Sequence, residues 1–286
     1  MTDEATTPML RASGPLGQAS RFGGLRLSDL VVPIASLTLA VAVLLAWQYL
    51  PEFFGVPKYI IPRISDLWSE GIRMWQQNNL LHHFISTASM AILGFFLGSL
   101  LGAVAGYALG LLPTWERVLS PYILALQIAP KVAFAPLFIL WFGYNSIPKL
   151  TVTVLVVFFP ILVNVLQAMR VMDRDFVNLA RAYNMSPVKI FFKVMLPFSM
   201  PNLMAGLRIG ATLAVIGITV GELVGGETGL GYLITFGQGQ ANTAMVFDAI
   251  GLLTVIGIAM YWAVAAIETR VLHYVPRTRN GARSGQ

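Results

Sequence analysis

The chain has 286 residues, of which 56% are hydrophobic and only 11% are charged, and its formal net charge is +6. With a mean hydropathy of +0.71, this composition predicts an all-α, multi-pass membrane protein and excludes a large soluble domain. The basic excess does not indicate nucleic-acid binding, because the Lys and Arg residues follow the predicted bilayer boundaries. The sequence contains no cysteine, which excludes disulfides, thiolate metal sites and a cysteine nucleophile, and we predict no metal site.

The N-terminal part predicts a tail, an anchor and a surface helix. Residues 1–28 are polar and rich in Ser, Gly and Pro, which favours a disordered tail. Leu30–Leu50 is long enough to span a membrane and lacks the small-residue site of a cleaved signal peptide. Residues 51–83 then leave the membrane, and their apolar side chains recur at helical spacing, at Ile64, Leu67, Trp68, Ile72 and Trp75. We therefore predict that residues 29–83 form the first span and an amphipathic helix at the outer interface.

The second predicted span, Phe84–Leu112, carries a glycine at every fourth position. These glycines are Gly94, Gly98, Gly102, Gly106 and Gly110. Because every fourth residue stays close to one face of a helix, the pattern predicts a smooth stripe against which another helix packs closely.

The third predicted span, about Val118–Phe142, contains three prolines and Lys131. Prolines inside a span free backbone carbonyls that protein or water must satisfy. A lysine within the membrane is a candidate for the substrate path. Pairing of its ammonium with a freed carbonyl, or with an acid on another helix, is the structural alternative.

Three further spans are predicted at Ile147–Arg170, Leu203–Val224 and Ala244–Ile267. Glu222, at the far end of the fifth, is our second candidate for the substrate path, with simple solvation at the interface as the alternative. The glycine-rich residues 225–243 favour irregular backbone or one short re-entrant helix. Residues 84–271 thus form the predicted membrane core, followed by a tail at 272–286.

The polar segment 173–197, between the fourth and fifth spans, predicts a helix–bend–helix elbow. Asp173 is placed to cap the first helix, and Asn184 ends it at a position that favours left-handed backbone. Ser186 and Pro187 supply the cap and the first residue of a second short helix, which Pro197 is predicted to stop. A basic amphipathic elbow of this kind fits either the lipid interface or a docking surface for a soluble partner.

The residues of this elbow resemble the "EAA" loop of binding-protein-dependent ABC importer permeases, which reads roughly E-A-A-x-x-x-G-(x)9-I-x-L-P. Ala180 matches the third position of that motif, and Leu196-Pro197 matches its end. Three positions depart from it: Asn178 replaces Glu, Leu179 replaces Ala and Asn184 replaces Gly. The change at Asn184 keeps the left-handed preference, whereas Asn178 removes a charge.

The resemblance extends over roughly Phe84–Val271. PKVAFAPLFILWFG, VFFPILVN, LPFSMPNLMAGLRIG and GELVGGETGLGYLI are similar to permeases of sulfonate, taurine, nitrate and thiamine-precursor importers, and the last segment leans towards the pyrimidine, vitamin-precursor or riboflavin branch. The resemblance implies a type I ABC importer fold: six spans, a cytoplasmic coupling elbow and a periplasmic interfacial helix. It also implies a non-catalytic subunit working as a homodimer with two ATPase subunits, which bind ATP and Mg²⁺, and an extracytoplasmic substrate-binding protein.

By the same resemblance, the elbow residues are predicted to dock on the ATPase. The assigned residues are Asn178, Leu179, Ala180, Arg181, Tyr183, Asn184, Lys189 and Phe191. Leu179, Tyr183 and Phe191 are the expected apolar anchors, and Arg181 is the expected charged contact.

Charge distribution predicts the orientation in a bacterial inner membrane. Six spans place both termini on one side, and most Lys and Arg residues outside the spans fall on that side together with the elbow. The positive-inside rule therefore puts the elbow and both termini in the cytoplasm.

The chain itself has no G-x-x-x-x-G-K-[ST] loop, so ATP hydrolysis is expected on a partner. The alternatives are an ion-coupled secondary transporter or a channel. The first is disfavoured by the few carboxylates within the spans and by the lack of a repeat between the halves, and the second leaves the elbow unexplained.

Overall fold

A computed structural model describes the backbone of residues 27–274 and the side chains of residues 34–274. The predicted tails at 1–28 and 272–286 lie almost entirely outside the described residues. Within the described part all regular structure is helical. The α-helices are α1 (Leu27–Phe53), α2 (Ile64–Gln77), α3 (Leu80–Leu111), α4 (Pro113–Ile128), α5 (Ala135–Phe142), α6 (Ser146–Val171), α7 (Arg174–Ala182), α8 (Pro187–Ile190), α9 (Leu196–Gly225), α10 (Leu230–Gly239) and α11 (Thr243–Val271).

Five helical stretches are long and apolar enough to cross a membrane. They are Ile34–Phe53 in α1, all of α3, all of α6, the run Pro187–Gly225 that includes α9, and all of α11. A sixth span arises if α4 and the segment Lys131–Phe142, which meet at an angle of 78°, are taken together. The described residues therefore confirm the predicted all-α architecture, with α3 beginning four residues before the predicted start.

The chain divides into two units after Trp47. The first comprises residues 1–47, and its described part is a single apolar helix whose side chains from residue 34 onward are mostly exposed. The second unit, residues 48–286, contains all the other helices and the whole core.

The core of the second unit is α6, which lies between α3 and α9. The glycine stripe of α3 faces α6: a Cβ added at Gly98 would lie 2.8 Å from Cβ of Val157, and one at Gly102 would lie 2.6 Å from the carbonyl oxygen of Phe158. Packing this close is possible only because the glycines have no side chain, so the two backbones approach without a gap.

A second row of glycines, which the sequence analysis missed, joins α9 to the other side of α6. A Cβ at Gly217 would lie 2.8 Å from Cα of Thr153, and one at Gly221 would lie 2.6 Å from Cα of Lys149. Gly206 and Gly210 continue the row towards the elbow. The small residues of α9 and α3 therefore clamp α6 from both sides.

The third predicted span is broken, not continuous. α4 stops at Ile128, a 3-10 turn follows at Lys131–Phe134, and α5 then runs to Phe142. The break falls at Pro130, which lacks an amide hydrogen and cannot continue a helical hydrogen-bond ladder. Gly143, with a φ of 77°, ends α5.

α2 is the amphipathic helix predicted after the first span. Trp68, Ile72 and Trp75 are exposed along one face, while Glu70 and Met74 are buried on the other. Asn242, at the start of α11, donates a hydrogen bond of 2.8 Å to Glu70.

Asp66 lies in the first turn of α2. Partial burial opposes ionisation of its carboxyl, yet hydrogen bonds from Lys58 and Arg63 keep the pKa of this carboxyl below the usual value.

Candidate functional site

The elbow is formed by α7, a tight turn and α8. The Asp173 side chain accepts a hydrogen bond of 2.9 Å from the amide of Asp175 and so caps α7. α7 ends at Ala182, and two residues later Asn184 has a φ of 55°, the left-handed backbone that the sequence predicts. The amide of Asn184 donates to Arg181 O at 2.8 Å and that of Met185 to Ala180 O at 3.1 Å. These two bonds define a Schellman motif, with asparagine in the place that glycine usually takes.

The second half of the elbow begins where the sequence predicts. Ser186 caps α8 by accepting from the amide of Lys189, and Pro187 is the first helical residue. The predicted stop at Pro197 is wrong. A π-helical segment, Phe191–Met195, follows α8 and leads directly into α9. A π segment widens the helix by one residue per turn, which lets the chain pass Pro197 without ending.

A small core holds the elbow in place. Val177, Ala180 and Ile190 are buried together, and Met172, Met185, Val194 and Met195 pack around them. The prediction that Ala180 docks on a partner must be corrected. The residue is buried beneath the elbow and is not available to another chain. The inward face of α7 is thus set by Val177 and Ala180.

The outward flank of α7 is apolar. Phe176, Leu179 and Tyr183 lie on it, with 55%, 58% and 77% of their surfaces exposed. Asn184 and Lys189, at the bend, are exposed beside this flank. We call Phe176, Leu179 and Tyr183 the outer flank. Three large exposed apolar side chains on one short helix, beside polar neighbours, are typical of a surface that another molecule covers.

Phe191, predicted as an apolar anchor, points towards the membrane core of the unit. Its ring makes an edge-to-face contact with Tyr107 of α3, at 5.2 Å between ring centroids. The Tyr107 hydroxyl in turn lies 2.8 Å from the Ser199 hydroxyl on α9. Phe191 therefore ties the elbow to α3, and its neighbour Phe192 is the exposed one.

Asn178 and Arg181 lie on a third side of α7. Together with Arg174 they border a cleft of about 580 Å³ between the elbow and the ends of α3 and α6. This side of α7 is opposite the outer flank. Asn178 and Arg181, which the sequence analysis assigns to ATPase docking, therefore do not share a surface with Leu179 and Tyr183.

Glu222, the second candidate for the substrate path, is fully buried. Its carboxylate accepts hydrogen bonds from the Thr87 hydroxyl at 2.9 Å and from the Gly231 amide at 2.9 Å. The Leu230 amide donates to Thr87 at 2.8 Å, and the Gly229 amide donates to Nδ1 of His83 at 3.0 Å. Glu222 thus joins α9 to α3 and caps α10, the short helix that forms within the glycine-rich stretch.

Lys131, the first candidate for the substrate path, lies at the break between α4 and α5. Its ammonium donates to the carbonyl oxygens of Gln127 and Ala129 and sits 4.9 Å from the centroid of the Phe159 ring. The side chain is therefore placed to satisfy carbonyls that the break sets free, which is the structural alternative that the sequence left open.

Two charged groups within the spans are satisfied by packing that the sequence does not reveal. Lys149 is buried against Gly221 near Glu222. Arg208, which is half-buried, forms an ion pair with Glu268 of α11. Long-range partners such as these leave no periodic signal in a sequence.

A cleft of about 410 Å³ runs between α9 and α11. Its lining is aliphatic apart from Thr212, Thr219 and Thr254, and it contains no charged side chain. Such a surface can contact an uncharged or weakly polar molecule through methyl groups and hydroxyls.

Comparison with known proteins places this architecture in a family. The family model for the binding-protein-dependent transport system inner membrane component matches residues 94–273, which include the glycine stripe and the elbow. The chain belongs to this family, the inner-membrane permeases of ABC importers.

Individual relatives agree with that assignment. The chain is 32% identical to the riboflavin transport system permease protein RibX of Chloroflexus aurantiacus over 274 residues, covering 95% of this chain and 98% of that protein. It is 33% identical to the formylaminopyrimidine transport permease protein ThiX of Halalkalibacterium halodurans over 230 residues, covering 79% of this chain and 90% of that protein.

A solved structure shares the fold. The MetNI methionine ABC transporter in an inward-facing conformation aligns with a TM-score of 0.57 and 21% identity, covering 67% of this chain and 95% of that chain.

Proposed function

We propose that this chain is the transmembrane subunit through which a separate ATPase drives import of a small organic solute. In this proposal two copies of the chain form the pathway, two ATPase subunits bind ATP and Mg²⁺ on the cytoplasmic side, and an extracytoplasmic protein delivers the solute. The observation that carries the proposal is the outer flank of the elbow, an exposed apolar surface held rigidly on a polar segment between two spans.

The elbow is built to pass on a displacement. α8, the π segment and α9 form one helical run of 39 residues. The small core around Ala180 and the contact of Phe191 with Tyr107 fix this run to α7 and α3. A movement imposed on the outer flank would therefore shift α9 as a whole, and ATP binding by the partner would change the relative populations of inward- and outward-facing states.

Leu179 and Tyr183 carry the docking surface in this proposal, and Asn184 and Lys189 form its polar edge. Ala180 and Phe191 support it from below. Because hot spots are enriched in aromatic residues, we expect Tyr183 to contribute most.

The solute is proposed to be uncharged and organic. The α9–α11 cleft supports this, since it offers aliphatic groups and three threonines and no charge. Relatives named for riboflavin and for formylaminopyrimidine transport add support for a heteroaromatic solute.

Labelling of single cysteines tests the proposed orientation. The natural chain contains no cysteine, so Tyr183→Cys and Tyr144→Cys each introduce one thiol, at positions that are 77% and 73% exposed. Tyr144 precedes α6 and Tyr183 follows it, so the two lie beyond opposite ends of that span. A membrane-impermeant maleimide should label Tyr183→Cys only in inside-out vesicles and Tyr144→Cys only in right-side-out vesicles. The reverse pattern would remove the elbow from the cytoplasm and overturn the proposal.

A further inference from the structure

The cleft beside the elbow lies at the depth where several spans end. It is bordered by the last residues of α3, by Met169 and Arg170 near the end of α6, and by Met195 immediately before α9. Residues at span ends lie at the level of the lipid headgroups. We therefore expect the cleft, of about 580 Å³, to lie at the boundary between headgroups and acyl chains.

Its charged lining consists of three arginines and one carboxylate, Glu116. Arg174, Asn178 and Arg181 follow each other at i, i+4 and i+7 on α7 and share one side of that helix. Arg170 also borders the cleft, but it is already paired with Glu116 and donates to Ser120 at 2.9 Å. Within residues 34–274 no carboxylate forms an ion pair with Arg174 or Arg181, so two guanidinium groups are available.

An apolar cleft of about 400 Å³ continues from the basic one. The two share Leu111, Val177, Arg181 and Met195. The second cleft adds Val188 and Phe192, both exposed in this chain. A basic cleft that passes directly into an apolar one matches a molecule with an anionic head and a hydrocarbon tail.

We propose that this composite cleft binds an anionic phospholipid, with its phosphate between Arg174 and Arg181 and an acyl chain along Leu111 and Phe192. Guanidinium groups bind phosphate oxygens in paired hydrogen bonds. Basic pockets between spans are known to select anionic headgroups. An acidic protein loop would satisfy the arginines but leave the apolar cleft empty.

The bound lipid would join the elbow to α3. It would do so on the side of α7 that faces away from the outer flank, so lipid binding and partner docking use separate surfaces. The inference therefore does not depend on the ATPase, and it goes beyond the proposed function.

The test uses the purified full chain without any partner, in detergent supplemented with phosphatidylglycerol or with phosphatidylcholine. Native mass spectrometry measures the lipid that remains bound. We expect preferential retention of phosphatidylglycerol. The double variant Arg174→Gln/Arg181→Gln should weaken that retention by roughly fivefold for each arginine, or about twenty-fivefold in total.

The matched control is Arg117→Gln/Lys193→Gln, which removes the same charge from two exposed residues outside both clefts. It should retain phosphatidylglycerol as the natural chain does. Complete displacement of phosphatidylglycerol by inorganic phosphate, in a manner that still depends on Arg174 and Arg181, would show that the headgroup alone is recognised. This result would support the phosphate site and overturn the acyl-chain part of the proposal.

Equal retention of the two lipids, or an equal effect of both double variants, would overturn the proposal. Unchanged phosphatidylglycerol binding by Arg174→Gln/Arg181→Gln, combined with loss of ATPase binding in the assembled transporter, would assign the cleft to the protein partner instead. Circular dichroism and thermal unfolding of each variant exclude misfolding as the cause.

Discussion

Tyr183→Asp is expected to separate ATP hydrolysis from uptake and to release the ATPase from this chain. The side chain is 77% exposed on the outer flank, so the change removes an aromatic contact and places a charge where the proposed partner covers the surface. Loss of a central aromatic contact in an interface costs about 2 kcal/mol or more, which lowers affinity by roughly thirtyfold. Co-purification of the ATPase and ATP-dependent uptake in proteoliposomes measure the two effects.

The control for this change is Tyr144→Asp. Tyr144 is 73% exposed in the turn before α6, so the same substitution is made at a similarly exposed tyrosine away from the elbow. Leu179→Asp should reproduce the loss seen with Tyr183→Asp. Phe191→Asp is not an equivalent test, because its ring packs on Tyr107 and its loss would damage the fold. Full uptake and normal ATPase binding by both Leu179→Asp and Tyr183→Asp would contradict the docking surface.

Gly102→Ala is expected to destabilise the membrane core. The added Cβ would lie 2.6 Å from the Phe158 carbonyl oxygen of α6, and a backbone atom cannot move away without shifting the helix. Overpacking of this kind costs about 1–3 kcal/mol. Thermal unfolding of the purified protein should show a clear decrease in the midpoint temperature.

Two other glycines provide comparisons for this prediction. In Gly110→Ala the added Cβ would lie 2.7 Å from Cβ of Met169 on α6, and since that atom moves only with its backbone, a comparable decrease is expected. Gly251→Ala, on α11, meets nothing within 4 Å and should leave the midpoint unchanged or raise it slightly, because alanine favours a helix over glycine. Equal unfolding temperatures for all three variants would show that close packing of α3 on α6 does not limit stability.

The parts of the elbow that the sequence predicts correctly are those that depend on local hydrogen bonds. Asp173, Asn184 and Ser186 each satisfy backbone groups within a few residues of themselves, so their residue types are sufficient to place the cap, the bend and the restart. The glycine stripe of α3 is equally predictable from the sequence, because residues spaced four apart lie on one face of a helix.

The orientation of α7 could not be predicted from its sequence. Periodicity places Ala180 with Leu179 and Tyr183 on one apolar face, but Val177 and Ala180 turn inward because Ile190 and Met185, from the second half of the elbow, complete a small core with them. Tertiary packing therefore decides which apolar residues remain exposed. The continuation past Pro197 has a similar cause, since it depends on the π segment that precedes it.

The burial of Glu222 was beyond sequence reasoning for another reason. Its partner Thr87 is separated from it by 135 positions in the chain, and neither residue type nor spacing identifies such a pair. The same holds for Arg208 and Glu268, which meet across α9 and α11. Only the arrangement of the helices shows that these charges are satisfied inside the protein.

The central claim is that a nucleotide-binding subunit grips the elbow, and cross-linking from a single cysteine tests it most directly. Membranes that contain the complete transporter and Tyr183→Cys are treated with a reagent that joins a thiol to a nearby amine. The account predicts an adduct between this chain and the ATPase subunit, formed with Tyr183→Cys and not with Tyr144→Cys. ATP-dependent uptake without any such adduct from Tyr183→Cys, although its thiol reacts readily with small reagents, would contradict it.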